Sequence, residues 1–378
     1  MRAAGRGEHS NALPGHAMKV LHVAQPVDGG VANVVKGLVS FQLCTGVEAV
    51  VASPAGDLAD AVVEAGAQHV LWDATRAPSA ATAGEVARLR RIVDDCAPDV
   101  LHLHSTKAGL AGRLAVRGRR PTVFQPHAWG DLAAAGPVRT LVRRWERAAR
   151  RWTDEVIVGS AAEAEHGVDL GVHPLALVPN GVDVERFAPR DRNAARERVG
   201  IEAGVPVAVC VARLARQKGQ DLLLDAWATG VRRSRPDARL ILVGDGPDRE
   251  LLVDRARQLD VRLVPDCDDP RDWYAAADVV VMPSRWEGAS LVLVEAMAMG
   301  RSVVGFDVGG LGTTLANAGA AVRPGEVHRL ASAVLERLAS SELCGTEGAS
   351  NRRRAVSSFS AGRAYAAMTD IERRWASR

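Results

Sequence analysis

Two series of short apolar runs, separated by helical patterns, constrain the fold of this chain most strongly. The first series occupies residues 19–26, 48–53, 69–72, 99–104, 122–127 and 155–160. The second series occupies residues 206–214, 239–246, 261–266, 278–284 and 302–308. Short continuous apolar runs are typical of buried parallel strands, and strands that alternate with helices form sheets covered on both faces. The pattern therefore predicts an α/β protein with two doubly wound, mainly parallel domains.

The boundary between the two domains is predicted where Pro, Gly and charged residues cluster, in residues 178–193. We expect an N-terminal domain over residues 18–184 and a C-terminal domain over residues 185–355, each large enough to bury a core. A last segment, residues 356–378, carries a further helical pattern. Residues 1–17 contain Gly, Arg and Pro but no apolar stretch, so we predict a disordered extension and not a signal peptide.

Composition narrows the class of protein. The 48 basic and 45 acidic residues give a net charge of only +3, and no RNA-binding motif or zinc-finger spacing is present. We therefore predict no nucleic-acid partner. The five cysteines are odd in number and never form a CxxC pair, which favours reduced thiols. No apolar run approaches the roughly 20 residues of a spanning helix, and a cytoplasmic protein is predicted.

The segment PSRWEGASLVLVEAMAMG, residues 283–300, places two carboxylates in apolar surroundings. Glu287 lies in a loop after a predicted strand, and Glu295 lies in a predicted helix over residues 289–299. Ligands bind at the carboxyl ends of strands in such sheets. Two acceptors there suit the hydroxyl groups of a sugar and a ribose, with the helix N-terminus directed at a phosphate. A capping or core-edge glutamate is an equal alternative for each residue taken alone.

Two cations follow the first strand of the second series. Arg213 and Lys218 lie five residues apart in VARLARQKGQ, where they can neutralise a pyrophosphate. A solvated loop is the simpler interpretation of such a pair taken alone. The turn that begins at Gly244 follows the next strand and permits close approach of the backbone to a ligand.

The first series carries its own candidates. Gly29 and Gly30 follow the first strand and precede a helix, so the backbone there can approach a phosphate or sugar, although a plain tight turn is the simpler interpretation. His127 ends a strand before a Gly-containing turn and can donate to a sugar hydroxyl or take a proton. A structural histidine is the alternative.

A metal site is not predicted. His102 and His104 share one face of a strand, but no third ligand is evident in the sequence, so we expect them to line the core or the cleft. The acidic residues Asp266, Asp268 and Asp269 precede a proline and a helical pattern, which is typical of a helix start.

A basic amphipathic helix is predicted over residues 138–152. Its apolar positions are Val138, Leu141, Val142, Trp145, Ala149 and Trp152. Arginines occupy much of the remaining surface. We favour a surface helix with its apolar stripe on the core, and peripheral contact with an anionic membrane, such as the inner membrane face, stays open as the alternative.

Taken together, these motifs resemble the retaining GT-B glycosyltransferases of family four. The match spans residues 18–378, and its most specific part is the Glu-x7-Glu element from Glu287 to Glu295. The segments DGG, VPNGVD, VARLARQKG and VGDGP occur in the order usual for that family. The resemblance implies two Rossmann-like domains that face a deep cleft, with the last helix crossing back to the N-terminal domain.

The resemblance also implies roles for individual residues. Arg213 and Lys218 correspond to a pyrophosphate-neutralising pair, Glu295 to the ribose-binding residue and Glu287 to the residue that contacts the donor sugar. His127 approaches the sugar from the first domain. The predicted catalytic residues are His127, Glu287, Arg213 and Lys218. The predicted donor contacts also include Gly29, Gly30, Gly244, Gly288, Ala289, Ser290 and Leu291. The predicted acceptor side comprises His104, Lys107 and His127.

The function implied is retaining transfer of a hexose or hexose derivative from a nucleotide sugar, UDP- or GDP-linked, to a hydroxyl acceptor. The setting is bacterial polysaccharide, glycolipid or natural-product biosynthesis, and neither a metal nor another cofactor is required. The alternatives are a GT-B nucleotide-sugar epimerase and a non-catalytic nucleotide-sugar-binding subunit. Thr313 and Pro265 depart from the family's usual Glu and Gly, which leaves the nucleotide and the sugar open.

Overall fold

The first half of the chain forms a seven-stranded parallel sheet. A computed structural model describes residues 17–265, 267, 269–315, 317 and 320–378, so the predicted extension lies almost wholly outside the described residues. The strands are β1 (Lys19–Ala24), β2 (Glu48–Ser53), β3 (Gln68–Leu71), β4 (Val100–His104), β5 (Thr122–Gln125), β6 (Glu155–Val158) and β7 (Leu175–Leu177). Their order in the sheet is β3-β2-β1-β4-β5-β6-β7, so the direction of winding reverses between β1 and β4.

Helices cover both faces of this sheet. They are α1 (Gly29–Cys44), α2 (Asp57–Glu64), α3 (Thr82–Cys96), α4 (Ser105–Val116), α5 (Gly136–Ala149) and α6 (Ala161–Asp169). Single 3-10 turns occupy Gly130–Leu132 and Arg150–Trp152. The core between the sheet and its helices is apolar, with fully buried Trp72, Leu89 and Phe124 on one face.

The second half forms a six-stranded parallel sheet in the order β10-β9-β8-β11-β12-β13. Its strands are β8 (Val207–Val211), β9 (Arg239–Val243), β10 (Arg262–Val264), β11 (Val279–Met282), β12 (Ser302–Phe306) and β13 (Ala321–Val322). Its helices are α7 (Arg192–Val199), α8 (Gln220–Ala226), α9 (Arg232–Ser234), α10 (Arg249–Gln258), α11 (Arg271–Ala276), α12 (Leu291–Ala298), α13 (Leu311–Thr314), α14 (Val327–Ala339) and α15 (Ser341–Ser358). A π-helical turn, Trp227–Val231, joins α8 to α9. Winding reverses between β8 and β11.

The eleven predicted strands are confirmed, because each apolar run overlaps one of the strands β1–β6 or β8–β12. The sequence interpretation missed β7 and β13, which are edge strands of three and two residues. The prediction of an α/β fold with two doubly wound parallel sheets is confirmed.

The last helix, α16 (Ala361–Ala376), packs against the first sheet. Met368 and Ile371 on this helix share a core cluster with Leu38 of α1. The chain reaches that position through a bridge between the two halves, in which the Val182 N–H donates to the Phe359 carbonyl at 2.8 Å. A Cβ atom at Gly181 would lie 2.5 Å from the Cα of Ala361, so only glycine allows this crossing.

Helix α5 differs from its prediction. Val138 is 59% and Leu141 67% exposed, so the expectation that the apolar stripe lies on the core is wrong for its N-terminal half. Polar contacts attach the helix instead. Arg143 donates to the buried carboxylate of Asp131 at 3.0 Å, and Glu146 accepts two hydrogen bonds from Arg113. Among the described residues, no helix has both the length and the apolar character needed to cross a membrane.

Candidate functional site

Lys218 and Glu287 meet at the winding reversal of the second sheet. Lys218 follows β8 and Glu287 follows β11, and the Lys218 Nζ atom lies 2.5 Å from Glu287 Oε1. The hydroxyl of Ser284 donates to the same oxygen at 2.7 Å. Gly219, at φ +67°, lets the Lys218 loop pack directly on the Pro283 carbonyl, where a Cβ atom would overlap it. The two predicted site residues are therefore brought together as an ion pair.

Glu295 lies on α12, one helical turn below the loop that carries Glu287. The hydroxyl of Tyr274, on α11, donates to Glu295 Oε2 at 2.8 Å. Burial raises the pKa of Glu295, and the hydrogen bond from Tyr274 works in the opposite direction. The sequence interpretation missed Tyr274, because no motif marks it in the helix RDWYAA before β11. The tyrosine fixes the orientation of the carboxylate and leaves its other oxygen, Oε1, for a ligand.

Arg213 follows β8 and faces the first half of the chain. Burial lowers the pKa of its guanidinium, and the positive charge of Arg76 adds to that effect. Asp28, in the turn after β1, and Asp248 act on the pKa of Arg213 in the opposite direction. Arg76 also forms an ion pair with Asp28 at 3.4 Å. The sequence interpretation did not identify Arg76, because no motif marks the loop between β3 and α3.

Backbone packing explains Gly244, and a neighbouring side chain locates the Gly29–Gly30 turn. A Cβ atom at Gly244, φ +143°, would overlap the carbonyl of Ala212, so this glycine holds its turn against the Arg213 loop. A Cβ atom at Gly30 would lie 3.9 Å from Leu291 Cδ1, with open space around Gly29. The Gly29–Gly30 turn therefore lies opposite the N-terminus of α12, across the cleft.

The Glu287 loop is held between the two halves of the chain. A Cβ atom at Gly288 would overlap the carbonyl of His127, and one at Gly309 would lie 2.6 Å from the Cβ of Glu287. The side chain of Asn180 donates to the Ala289 carbonyl at 2.7 Å. Close approach of these backbones brings His127 and Glu287 to the same cleft. The sequence interpretation treated Asn180 as a plain turn residue and did not assign Gly309.

A recess that opens to solvent lies next to Glu287. Its walls come from both halves of the chain. They include Gly159, Ser160, Pro179, Asn180, Ser284, Glu287, Gly288, Ala289, Ser290, Val308, Gly309 and Phe359. The predicted donor loop, residues 287–290, thus forms one side of an interdomain recess.

His127 follows β5 and contacts His104 at the end of the neighbouring strand β4. Its φ of +57° is unusual for a non-glycine residue, and such strain is often found at functional sites. Burial lowers the pKa of His127 to about 3, with a further contribution from His102. The imidazole is therefore neutral at physiological pH. Its Nε2 atom lies 3.2 Å from His104 Nδ1, which directs the ring.

The structure corrects two predicted acceptor-side residues. His104 is fully buried behind His127, and Lys107 is 4% exposed. The Lys107 ammonium lies 2.5 Å from Glu85 Oε2 and close to Thr75 and Thr82, so it fixes the loop between β3 and α3. Because both side chains are buried, neither offers an exposed surface to an acceptor.

The predicted acidic helix start is only partly described. Asp266 and Asp268 lie outside the described residues, whereas Asp269 accepts hydrogen bonds from the backbone and side chain of Arg271.

A third histidine that the sequence interpretation missed, His22 on β1, is paired in register with His102. Ring nitrogens of His22, His102 and His104 lie within 4.8 Å of one another.

Two family descriptions match this chain. Residues 28–186 match Glycosyltransferase Family 4, and residues 205–340 match Glycosyl transferases group 1. The chain belongs to the family 4 GT-B glycosyltransferases. The first matched segment contains β2–β7 and the second contains β8–β13, so each half of this family 4 protein carries its own family signature.

Several known proteins are similar to this family 4 chain. D-inositol 3-phosphate glycosyltransferase 1 of Catenulispora acidiphila is 35% identical over 241 residues, which cover 57% of this chain and 58% of that protein. A GDP-mannose-dependent monoacylated alpha-(1-6)-phosphatidylinositol monomannoside mannosyltransferase of Corynebacterium glutamicum is 35% identical over 185 residues, which cover 45% of this chain and 48% of that protein. The chain thus spans less than two thirds of the length of these relatives.

Solved structures support the fold. HepE of Anabaena in complex with UDP and glucose has a TM-score of 0.80 at 22% identity, with 94% of this chain and 99% of that chain covered. Sucrose-phosphate synthase of Thermosynechococcus elongatus has a TM-score of 0.81 at 22% identity, with 94% and 98% covered. The two-domain GT-B architecture is therefore established for this family 4 protein.

Proposed function

We propose that this protein is a retaining glycosyltransferase that moves a hexose or hexose derivative from a nucleotide sugar to a hydroxyl acceptor. The observation that carries the proposal is the meeting of Lys218, Glu287 and His127 at one interdomain cleft, with Arg213 on the same loop as Lys218. Cations, a carboxylate and a neutral imidazole around one cleft match the needs of a diphosphate leaving group and a sugar.

The second half of the chain supplies the charges. Lys218 and Arg213 neutralise the diphosphate as it departs, and the N-terminus of α12 at Ser290 adds partial positive charge. These groups supply the stabilisation that a divalent cation provides in other transferases, so we propose that the reaction needs no metal. Glu287 orients the donor sugar, and Glu295 accepts hydrogen bonds from the ribose.

The donor is proposed to be a UDP- or GDP-sugar. The similar HepE structure holds UDP and glucose, and the corynebacterial relative is named as GDP-mannose-dependent. The named relatives act on inositol phosphate and on a phosphatidylinositol mannoside, which supports a polar hydroxyl acceptor in glycolipid, polysaccharide or natural-product biosynthesis. We propose a cytoplasmic location, where nucleotide sugars are used.

Release of free nucleotide from a panel of UDP-, GDP-, ADP- and dTDP-sugars, with a cell extract as acceptor source, tests this function. Acceptor-dependent release from one donor identifies the donor and allows the acceptor to be isolated. Anomeric configuration in the purified product, read by NMR, tests retention. A full rate in excess chelator tests metal independence. Interconversion of a nucleotide sugar without acceptor would favour an epimerase and overturn the transferase proposal.

We also propose that α5 contacts an anionic membrane surface. Its exposed Val138 and Leu141 are surrounded by arginines, and an apolar strip bordered by cations suits the boundary between acidic headgroups and acyl chains. Co-sedimentation with vesicles of phosphatidylglycerol and phosphatidylcholine at low salt tests this contact. We expect pelleting with the acidic vesicles, and a strong reduction for the double variant Val138→Ser, Leu141→Ser. Equal pelleting with neutral vesicles would contradict an electrostatic contact.

A further inference from the structure

A hydrogen-bonded row of buried side chains runs from the last helix to His127. His22 on β1 and His104 on β4 are fully buried, as are Gln42 on α1 and Glu372 on α16. Burying this many polar groups is costly unless each is paired. The row therefore has a defined pattern of donors and acceptors.

The contacts along the row are all within hydrogen-bonding distance. Gln42 Nε2 donates to Glu372 Oε2 at 2.5 Å, and Gln42 Oε1 lies 2.7 Å from His22 Nε2. His22 Nδ1 lies 3.1 Å from His104 Nε2. His104 Nδ1 lies 3.2 Å from His127 Nε2, which completes the connection to the cleft.

Each imidazole in this row is neutral. Burial lowers the pKa of His22 to about 4 and that of His127 to about 3, and it holds the pKa of His104 well below its ordinary range. A neutral imidazole has one N–H donor and one nitrogen acceptor. Consequently, the direction of the hydrogen bond at one end of the row determines the tautomer of every histidine in it.

Glu372 determines that direction when it is ionised, because a carboxylate can only accept. Gln42 must then donate through its amide, and its oxygen must accept from His22 Nε2–H. His22 Nδ1 accepts from His104 Nε2–H, and His104 Nδ1 accepts from His127 Nε2–H. The other oxygen of Glu372 is occupied by His102, whose Nδ1 lies 2.7 Å away, so both carboxylate oxygens face donors.

We propose that Glu372, acting through Gln42, His22 and His104, holds His127 as the Nε2–H tautomer, so that its Nδ1 accepts a hydrogen bond from a hydroxyl group bound in the cleft. The proposal deepens the transferase function above, since a sugar or acceptor alcohol is the hydroxyl concerned. Glu372, Gln42, His22 and His104 are positioning residues, because none of them touches the ligand. The last helix thereby helps to orient His127, although its own residue Glu372 does not touch the ligand.

The same histidines do not make a better metal site. The ring nitrogens of His22 and His104 that face each other are joined by a hydrogen bond, so one of them carries a proton and has no lone pair for a cation. A bound metal would need both lone pairs. Elemental analysis of the purified protein separates the two arrangements. A stoichiometric metal that is lost in His22→Gln would overturn the relay, that is, the hydrogen-bonded row that orients His127.

Long-range ¹H–¹⁵N NMR of the full chain, labelled at histidine, tests the proposal directly. The His127 signals are assigned from their loss in His127→Gln. Burial raises the pKa of Glu372 to about 7, so the spectra are recorded above pH 8, where we expect the wild-type protein to show His127 as a single Nε2–H tautomer. Observation of the Nδ1–H tautomer in the wild type would overturn the proposal without any further variant.

Gln42→Met interrupts the row with a side chain of similar size. His22 Nε2 then has no acceptor, and an orphaned N–H is costly. We expect the Nδ1–H form of His127 to become populated, which Met368→Leu, a conservative change on the same helix as Glu372, does not cause. An unchanged His127 tautomer in a folded Gln42→Met protein would overturn the relay.

Kinetics give a second readout once a donor is known. We expect Gln42→Met to lower kcat roughly tenfold, the equivalent of one hydrogen bond, and to change the donor KM by less than about twofold. A raised KM with unchanged kcat would overturn the proposed hydroxyl contact. The NMR result does not depend on turnover, so failure of the transferase function and failure of the relay are distinguishable.

Discussion

The two halves of the chain present different chemistry to the same cleft. The first half contributes the neutral imidazole of His127, which lies against the fully buried His104. The second half contributes charged groups in loops after strands, such as Lys218 and Glu287. The difference teaches that one fold can orient a ligand from one sheet and neutralise its charge from the other. Which sheet has which role depends on the polar residues that lie near its strand ends.

The largest expected effect tests the charged half. Lys218→Ala removes a cation from the leaving-group site, and we expect the turnover rate to fall on the order of 10²-fold. The measurement is donor-dependent nucleotide release. Arg257→Ala, which removes an equal charge from the exposed surface of α10, is the matched control and should retain wild-type activity. A small or equal loss in the two variants would refute the assignment of Lys218.

A smaller effect is expected from the ribose side of the same half. Glu295→Gln weakens acceptance from the ribose hydroxyls, and Tyr274→Phe removes only the hydrogen bond that orients Glu295. We expect the donor KM to rise roughly tenfold in Glu295→Gln and less in Tyr274→Phe, with kcat nearly unchanged. A fall in kcat with an unchanged KM would mean that Glu295 acts on the reacting bond. Its assignment to the ribose would then be wrong.

Acidification should destabilise the first half of the chain more than the second. Burial lowers the pKa of His22 to about 4 and of His102 and His127 to about 3, and that of His104 also falls. Their ordinary value is 6.5, so these groups stabilise the fold above that pH and lose their contribution as pH falls towards 4. Burial raises the pKa of Glu163 and Glu372 to about 7, so these two groups make the fold more stable as the pH falls. The four histidines outnumber them, and we expect a net loss of stability in acid.

The second half should withstand the same acidification. The hydrogen bonds from Arg198 hold the pKa of Asp272 at about 2, below its ordinary 3.8, so its contribution to stability is retained above pH 3.8 and is lost between that pH and about 2. Between pH 6.5 and 4.5 we expect the protection of amides against hydrogen exchange, relative to their intrinsic rates at each pH, to fall in β1 and β4 before β8 and β11. The unfolding temperature should fall by about 3 °C, since roughly 1 kcal/mol has that effect in a domain of this size. A simultaneous loss of protection in both sheets would refute the contrast.

The smallest expected effect concerns α5. Leu141→Ser replaces a mostly exposed side chain, and the free energy of unfolding should change by no more than about 0.5 kcal/mol. Leu89→Ala, in the buried core of the same half, should cost about 2–5 kcal/mol. Urea unfolding of the two variants provides the measurement. A loss above about 1 kcal/mol in Leu141→Ser would mean that the apolar stripe of α5 is covered after all.

The main features of the fold were predictable from local patterns. Apolar runs in the sequence overlap β1–β6 and β8–β12, whereas the edge strands β7 and β13 were missed. Glu287, Glu295, Arg213 and Lys218 were identifiable because polar residues at strand ends stand out against apolar runs. Tyr274 and Arg76 carried no such signal, since their relevance depends on contacts with residues distant in the sequence.

Local alternation of apolar and polar residues determined the number and kind of secondary elements, because burial of strands and helix faces depends on nearest neighbours in the chain. Only the tertiary structure decided that His104 and Lys107 lie behind the cleft and that Val138 and Leu141 face outward. It alone placed Glu372 within hydrogen-bonding distance of Gln42, 330 residues away. Such pairings depend on how the last helix packs on the first sheet, and no pattern in neighbouring residues encodes that packing.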